Sequence, residues 1–201
     1  MRAARVPVPV VVVVLLWVMC ATAPPAQAQA AMAPHPMATP PGWMRETLRA
    51  EDLAKAGKRL EAAAIYERYS ETVPWFPAAH YARVQLLFEA GRAELVPGAL
   101  TRARAAIPAT APMRREAAMF VLNIAEMVPT LPRAERVRLV AEAHALADAA
   151  MTADPRFGDA LRMKASILTF EAEHLATDSA RKAALTRQAD ALFERWFQLQ
   201  K

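Results

Sequence analysis

The chain has 201 residues, of which 55% are hydrophobic and 7% aromatic, with five glycines and a formal net charge of +5. That is enough apolar material for one helical core, while a charge surplus so small and so dispersed among acidic residues excludes a nucleic-acid footprint. The single cysteine, Cys20, excludes an internal disulfide.

Residues 1–30 read as a secretory signal peptide. Arg2 and Arg5 give a positive start, an apolar stretch follows over residues 6–23, and Ala26-Gln27-Ala28 and Ala28-Gln29-Ala30 are overlapping Ala-x-Ala cleavage sites. Cleavage after Ala28 or after Ala30 gives an exported protein, expected in the periplasm. An uncleaved anchor is the alternative, because the apolar stretch approaches the ~20 residues needed to span a bilayer, but Pro7, Pro9 and the small-residue tail oppose it. A lipoprotein reading through Cys20 is opposed by the large Met19 before it. Loss of Arg2 and Arg5 leaves 23 basic against 20 acidic residues, a net charge of +3. Residues 31–42, AMAPHPMATPPG, are proline-rich and uncharged, and suit a semi-extended tether.

From Trp43 the text turns helical. The stretch WMRETLRAEDLAKAG leads through Gly57 into a second helix that stops at Pro74, and HYARVQLLFEAG leads through Gly91 into another that stops at Pro108. The two glycines are 34 residues apart (91 − 57), and so are the two prolines (108 − 74). Each segment is therefore a helix pair that cannot bury its apolar face alone and needs stacked neighbours. Ala62 and Tyr66, ahead of Pro74, place a small residue where two helices cross closely and an aromatic in the gap beside it. Val96 and Pro97-Gly98 delay the start of the next second helix, with proline in its first turn.

The third pair is irregular. Pro108 and Pro155 are 47 residues apart (155 − 108), so a longer helix over about 112–128 precedes a break at Val128-Pro129-Thr130-Leu131-Pro132. A weak copy of the small-residue pattern follows at Ala143, Ala145, Leu146, Ala147 and Ala150. The closest internal copy comes last, where residues 189–196 align without gaps on residues 62–69 and preserve the small, aliphatic and aromatic positions and the Glu-Arg pair. The final helix is capped by Asp178 or Ser179 and carries Leu185, Ala189, Leu192, Phe193 and Trp196 on one face. Tyr66 and Phe193 are both expected between helices. No strand is expected, since the β-branched run over residues 10–14 belongs to the leader.

Over roughly residues 43–201 these features resemble the tetratricopeptide repeat (TPR) family, and the last segment resembles exported bacterial TPR-like proteins. The resemblance implies an all-α, right-handed α-solenoid of about four helix pairs with an irregular third repeat. It also implies a concave groove, lined by the first helix of each pair, that meets a peptide or protein partner. Carried onto this chain, that face selects Tyr81, Gln85 and Phe88 in the second pair, Thr47, Glu51 and Lys55 in the first, and Lys164 in the fourth. Such a groove has an aromatic centre and charged flanks, and suits a peptide with apolar anchors. The lysine and asparagine with which some family members grip a C-terminal carboxylate are absent from the first repeat. Tyr81 and Phe88 have a second reading, as rings packed against a neighbouring helix.

Catalytic signatures are missing from the sequence. It has no phosphate-cradling glycine loop, no Gly-x-Ser-x-Gly elbow, no Cys-x-x-Cys and no His-Glu-x-x-His. Glu171-Ala172-Glu173-His174 has the three-residue spacing of carboxylate-bridged metal bundles, but those need a second copy. Glu142-Ala143-His144 has the wrong spacing, and no glutamate stands three residues before His80. His80 and His144 read as packing residues, His35 lies in the tether, and the ten methionines read mainly as gap-fillers. No catalytic, cofactor or metal residue is expected. The leading expectation is a non-enzymatic exported adaptor or scaffold, with no nucleic acid and no stable membrane insertion after cleavage. A structural subunit of an envelope complex comes second, and a metal-binding helical-bundle enzyme last.

Overall fold

The computed structural model describes residues 39–201. The signal peptide and most of the tether lie outside them. The described residues form eight α-helices and no strand: α1 Trp43–Lys55, α2 Arg59–Thr72, α3 Pro77–Glu89, α4 Val96–Ala106, α5 Ala111–Met127, α6 Arg133–Ala153, α7 Gly158–His174 and α8 Ser179–Leu199. A short 3-10 turn, Ala93–Leu95, leads into α4.

The punctuation follows from backbone chemistry. Gly57 and Gly91 have φ of 79° and 70°, the left-handed region that costs glycine least. Each closes its helix in the same way. The Gly57 and Lys58 N–H groups donate to the Ala54 and Leu53 carbonyls, and those of Gly91 and Arg92 donate to Phe88 and Leu87. This is the Schellman arrangement, which satisfies carbonyls that a helix end otherwise leaves unpaired. Prolines open α3, α4 and α5 within the first turn, where a missing N–H costs little. At the last helix, Asp178 rather than Ser179 is the cap, its carboxylate accepting from the Arg181 N–H at 2.8 Å.

Each helix packs on the next in sequence, except that the joint after α4 is carried by α3 packing directly on α5. Helix α5 packs likewise on α7. One hydrophobic cluster runs from Ala50 of α1 to Phe170 of α7, and a smaller one joins Ala165, Leu168 and Ala172 of α7 to Leu185 and Ala189 of α8. Alanines sit fully buried where the helices cross, at Ala62, Ala118, Ala143 and Ala147. Side chains that small allow close interaxial distances of about 8–10 Å. Tyr66 fills the first crossing, and burial pushes its hydroxyl up to about 12.

The second aromatic of the internal copy behaves differently from expectation. Phe193 is half-buried, as are Leu192 and Trp196. Among the described residues helix α8 packs substantially on α7 alone, and only the Leu185 and Ala189 edge of its apolar face is fully enclosed there.

Candidate partner-binding face

The face selected from the sequence divides in two. Tyr81 is 1% exposed and Phe88 7%, both inside the main cluster. The Tyr81 ring stacks on Phe120 of α5 with centroids 6.1 Å apart and planes 11° apart. Burial pushes its hydroxyl pKa up, and Glu142 adds to the shift. Tyr81 therefore belongs to the joint between α3 and α5 and Phe88 to the main cluster, and neither lines an open groove. Thr47 is buried as well. Lys164 is turned toward α6, where its Nζ lies 2.8 Å from Asp148. In each case packing against a neighbouring helix, invisible in the local spacing, has taken the side chain away from the open side.

Gln85, Glu51 and Lys55 do lie on the open side. On α3 the half-buried stripe on the remaining side is Ala82, Gln85 and Glu89, at spacings of three and four, with Ala82 still in contact with the main cluster. Arg83 occupies the far side of that helix, its Nη2 2.6 Å from Glu67 of α2, so the stripe faces away from the even-numbered helices. Gln85 donates to Glu89 at 2.8 Å. On α1 the residues 34 positions earlier are Leu48, Glu51 and Lys55, the last two in a loose ion pair at 3.8 Å. Leu48 is 54% exposed, and Met44, one turn before it, is exposed too.

The later pairs continue the stripe with residues that the sequence did not single out. On α5 they are Met119, Asn123 and Glu126, lying between Phe120, which reaches α3, and Arg115, which reaches α7. On α7 they are Ser166, Thr169 and Glu173, because Lys164 and Glu171 occupy the far side and engage α6 and α8. Two contacts set the register between these helices: Tyr81 on Phe120, and Arg115 Nη2 3.8 Å from Asp159 at the start of α7. The stripe then reads in rows across α3, α5 and α7. Gln85, Asn123 and Thr169 form a row of neutral hydrogen-bonding side chains. Glu89, Glu126 and Glu173 form a row of carboxylates in the last turns of the three helices. A hollow of about 400 Å³, lined by residues 57–61, Glu89 and Ala90, adjoins the carboxylate end at α3.

The one carboxylate–histidine spacing noted in the sequence is used for packing. Glu171 Oε2 is 2.9 Å from His144 Nε2 of α6, and its Oε1 accepts from Arg181 of α8 at 2.8 Å. Burial alone raises the Glu171 carboxyl, but hydrogen bonds from Arg181 and His144 outweigh it and hold the group below the ordinary range. His174 instead lays its ring on Phe170, with centroids 4.6 Å apart. Among the described residues no three His, Cys, Asp or Glu side chains converge on one point. The network ties α6, α7 and α8 together, and Arg133 Nη2 adds a bond from the start of α6 to the Leu175 carbonyl at 2.6 Å.

Comparison with family models finds no match for this chain, and comparison with curated proteins finds no significant match.

Proposed function

We propose that residues 43–201 are a TPR-like right-handed α-solenoid of four helix pairs, α1–α2, α3–α4, α5–α6 and α7–α8, the third irregular. In this reading the protein is an exported, non-enzymatic adaptor that holds a peptide or protein on the open face of its odd-numbered helices. The supporting observation is the packing order. Helix α3 packs on α5 and α5 on α7, while no even-numbered helix packs comparably on the next even-numbered one, and α1 joins the array through α2. An array joined along one side and apart along the other bends toward the joined side. The open stripe then lies on the inside of the bend, where one extended partner touches several helices at once.

Export rests on residues 1–30, whose charged start, apolar run and Ala-x-Ala sites are those of a cleaved leader. No helix among the described residues is long and apolar enough to cross a membrane. An intact mass starting at Gln29 or Ala31 supports this reading, and a retained leader or a lipid on Cys20 overturns it.

A photo-reactive side chain placed in turn at Met119, Thr169 and the α8 position Arg187 tests the adaptor reading in the native envelope. Partner crosslinks are expected from the first two positions and not from the third. Crosslinks confined to Arg187, or equal from all three, overturn it. A structural subunit of an envelope complex is the second reading, favoured by Phe197 and Leu199, large apolar side chains exposed at the end of α8. Crosslinks from α8 alone support that alternative.

A further inference from the structure

The open face of α3, α5 and α7 has a polarity that its partner must match. In its middle row the Thr169 hydroxyl donates to the Ala165 carbonyl and one Gln85 N–H to Glu89, which leaves the Asn123 amide, the Gln85 carbonyl and the Thr169 oxygen to pair with a peptide backbone. Its outer row, Glu89, Glu126 and Glu173, sits in the last turn of each helix. The helix dipole is negative there, so carboxylates at these positions weaken their own helices, where a lysine or arginine would strengthen them. Partners within the fold are few. Glu89 is largely covered, 3.7 Å from Arg59 and accepting from Gln85 at 2.8 Å, whereas Glu173 meets only His174 at 3.9 Å among the described residues, and Glu126 has no ion pair with a described residue. Glu126 and Glu173, exposed and placed against their helix dipoles, are badly sited for the fold and well sited for an incoming cation, and the half-buried Glu89 extends their row to α3.

We infer that this face takes an extended peptide bearing lysine or arginine at about every third residue. The interval follows from geometry. Packed helices stand about 8–10 Å apart, and a chain in the polyproline II conformation advances about 3.1 Å per residue with three residues per turn, so that every third side chain shares one side. A backbone running across the three helices along the amide row thus brings one side chain in three to the carboxylate row. Lys55 occupies the equivalent position on α1, so the basic part of the peptide is confined to α3, α5 and α7, and the exposed Met44 and Leu48 offer α1 an apolar contact instead. An acidic or carboxylate-terminal peptide meets repulsion along the same row.

The inference rests on the groove reading above, and the experiment separates their failures. Fluorescence anisotropy of the leaderless protein is measured with a labelled peptide of repeated Leu-Ser-Lys triplets, and with its counterpart carrying glutamate for each lysine. The lysine peptide is expected to bind and to weaken as salt rises, and the glutamate peptide is expected not to bind. Glu126→Gln combined with Glu173→Gln is expected to weaken the lysine peptide by about tenfold or more, with an unchanged or slightly raised melting temperature. Equal binding of the two peptides, each weakened by Gln85→Ala with Asn123→Ala, keeps the groove and overturns the charge preference. Binding unaffected by either double variant overturns the placement on this face. No binding of either peptide overturns both.

Discussion

Residues 62–69 and 189–196 carry nearly the same text, yet the fold treats them differently. In α2, Ala62, Ile65, Tyr66 and Tyr69 are all buried, between α1 and α3. Trp43 closes over them, with ring centroids 5.5 Å from Tyr66, 5.4 Å from Tyr69 and 4.9 Å from Phe76. The Tyr69 hydroxyl donates to the Pro41 carbonyl at 3.1 Å, tying down the chain that enters α1. In α8 the matching Ala189 is buried, but Leu192, Phe193 and Trp196 are only half covered. Trp196 rests beside Gly158, where a Cβ would lie 3.0 Å from its Cδ1, with the Arg162 guanidinium 5.9 Å from its ring centroid. Local text thus sets the helix and one contact face. The element that comes next decides how much of the remainder is buried.

The largest expected effect tests that comparison directly. Tyr66→Ala empties a filled crossing and should cost ~3–5 kcal/mol, as other large aromatic truncations do. Against a total of ~5–15 kcal/mol that is severe. Phe193→Ala removes a half-solvated ring and should cost less than half as much. Thermal or denaturant unfolding of the two variants checks the ranking. Equal losses mean that something covers α8 in solution, and the contrast between the two copies then breaks.

This contrast also shows how far the sequence could be read. The glycine turns were legible because a positive φ after a helix is a position that few residues besides glycine occupy cheaply, and the 34-residue interval marks both. The long α5 and the break behind it followed from the proline spacing. The open face was legible only in part. Gln85, Glu51 and Lys55 lie on it, but Tyr81 and Phe88 stand one position to the side of Ala82 and Glu89. One position is a rotation of about 100° on a helix. That step exchanges the open stripe for the main cluster, and only knowledge of α3 packing on α5 distinguishes them. Asn123 and Glu126 were hidden for another reason: the third pair breaks the 34-residue interval, so no register leads from Gln85 to them.

The two glycine turns offer a second, smaller test. Apart from its chain neighbours, neither Gly57 nor Gly91 has an atom of a described residue within 4 Å of where a Cβ would stand, so alanine meets no obstacle there and is strained only by its left-handed backbone. Gly57→Ala and Gly91→Ala should each cost about 1–2 kcal/mol, by the same amount within error, because the two turns share one hydrogen-bond pattern. Gly158→Ala should behave differently from both. Its backbone is unstrained, but the added methyl presses on Trp196, so its effect should vanish when Trp196 is first replaced by leucine. A double-mutant cycle in unfolding free energy measures that coupling. Additive effects mean that Trp196 does not rest against the start of α7, and the account of how α8 is held must change.

The smallest effect is a dependence on pH that both halves share. Burial is the largest influence on His80 and pushes its pKa down; the bond to the Pro74 carbonyl at 2.8 Å opposes this, and Arg83 and Arg102 add to it. At His144 burial again dominates and lowers the value, the hydrogen bond to Glu171 opposes it, and Lys164 lowers it further against Asp148. A histidine whose folded pKa lies below the unfolded value of 6.5 binds fewer protons when folded. Its stabilising contribution is therefore present above pH 6.5 and is lost as pH falls toward the lowered folded pKa. The depressed Glu171 carboxyl acts in the same direction, but below its ordinary value of 4.5, outside the histidine window. Melting temperature should thus fall between about pH 7.5 and pH 5. His144→Gln, which removes one of the two titrations, should make that fall shallower, and His80→Gln should do so independently. The buried Nδ1 of His144 has no partner among the described residues, so protonation there adds an unmet donor between α6 and α7. A melting temperature that rises on acidification would show that Glu171 holds the ring charged, and that the α6–α7–α8 network is an ion pair at neutral pH instead of a neutral hydrogen bond.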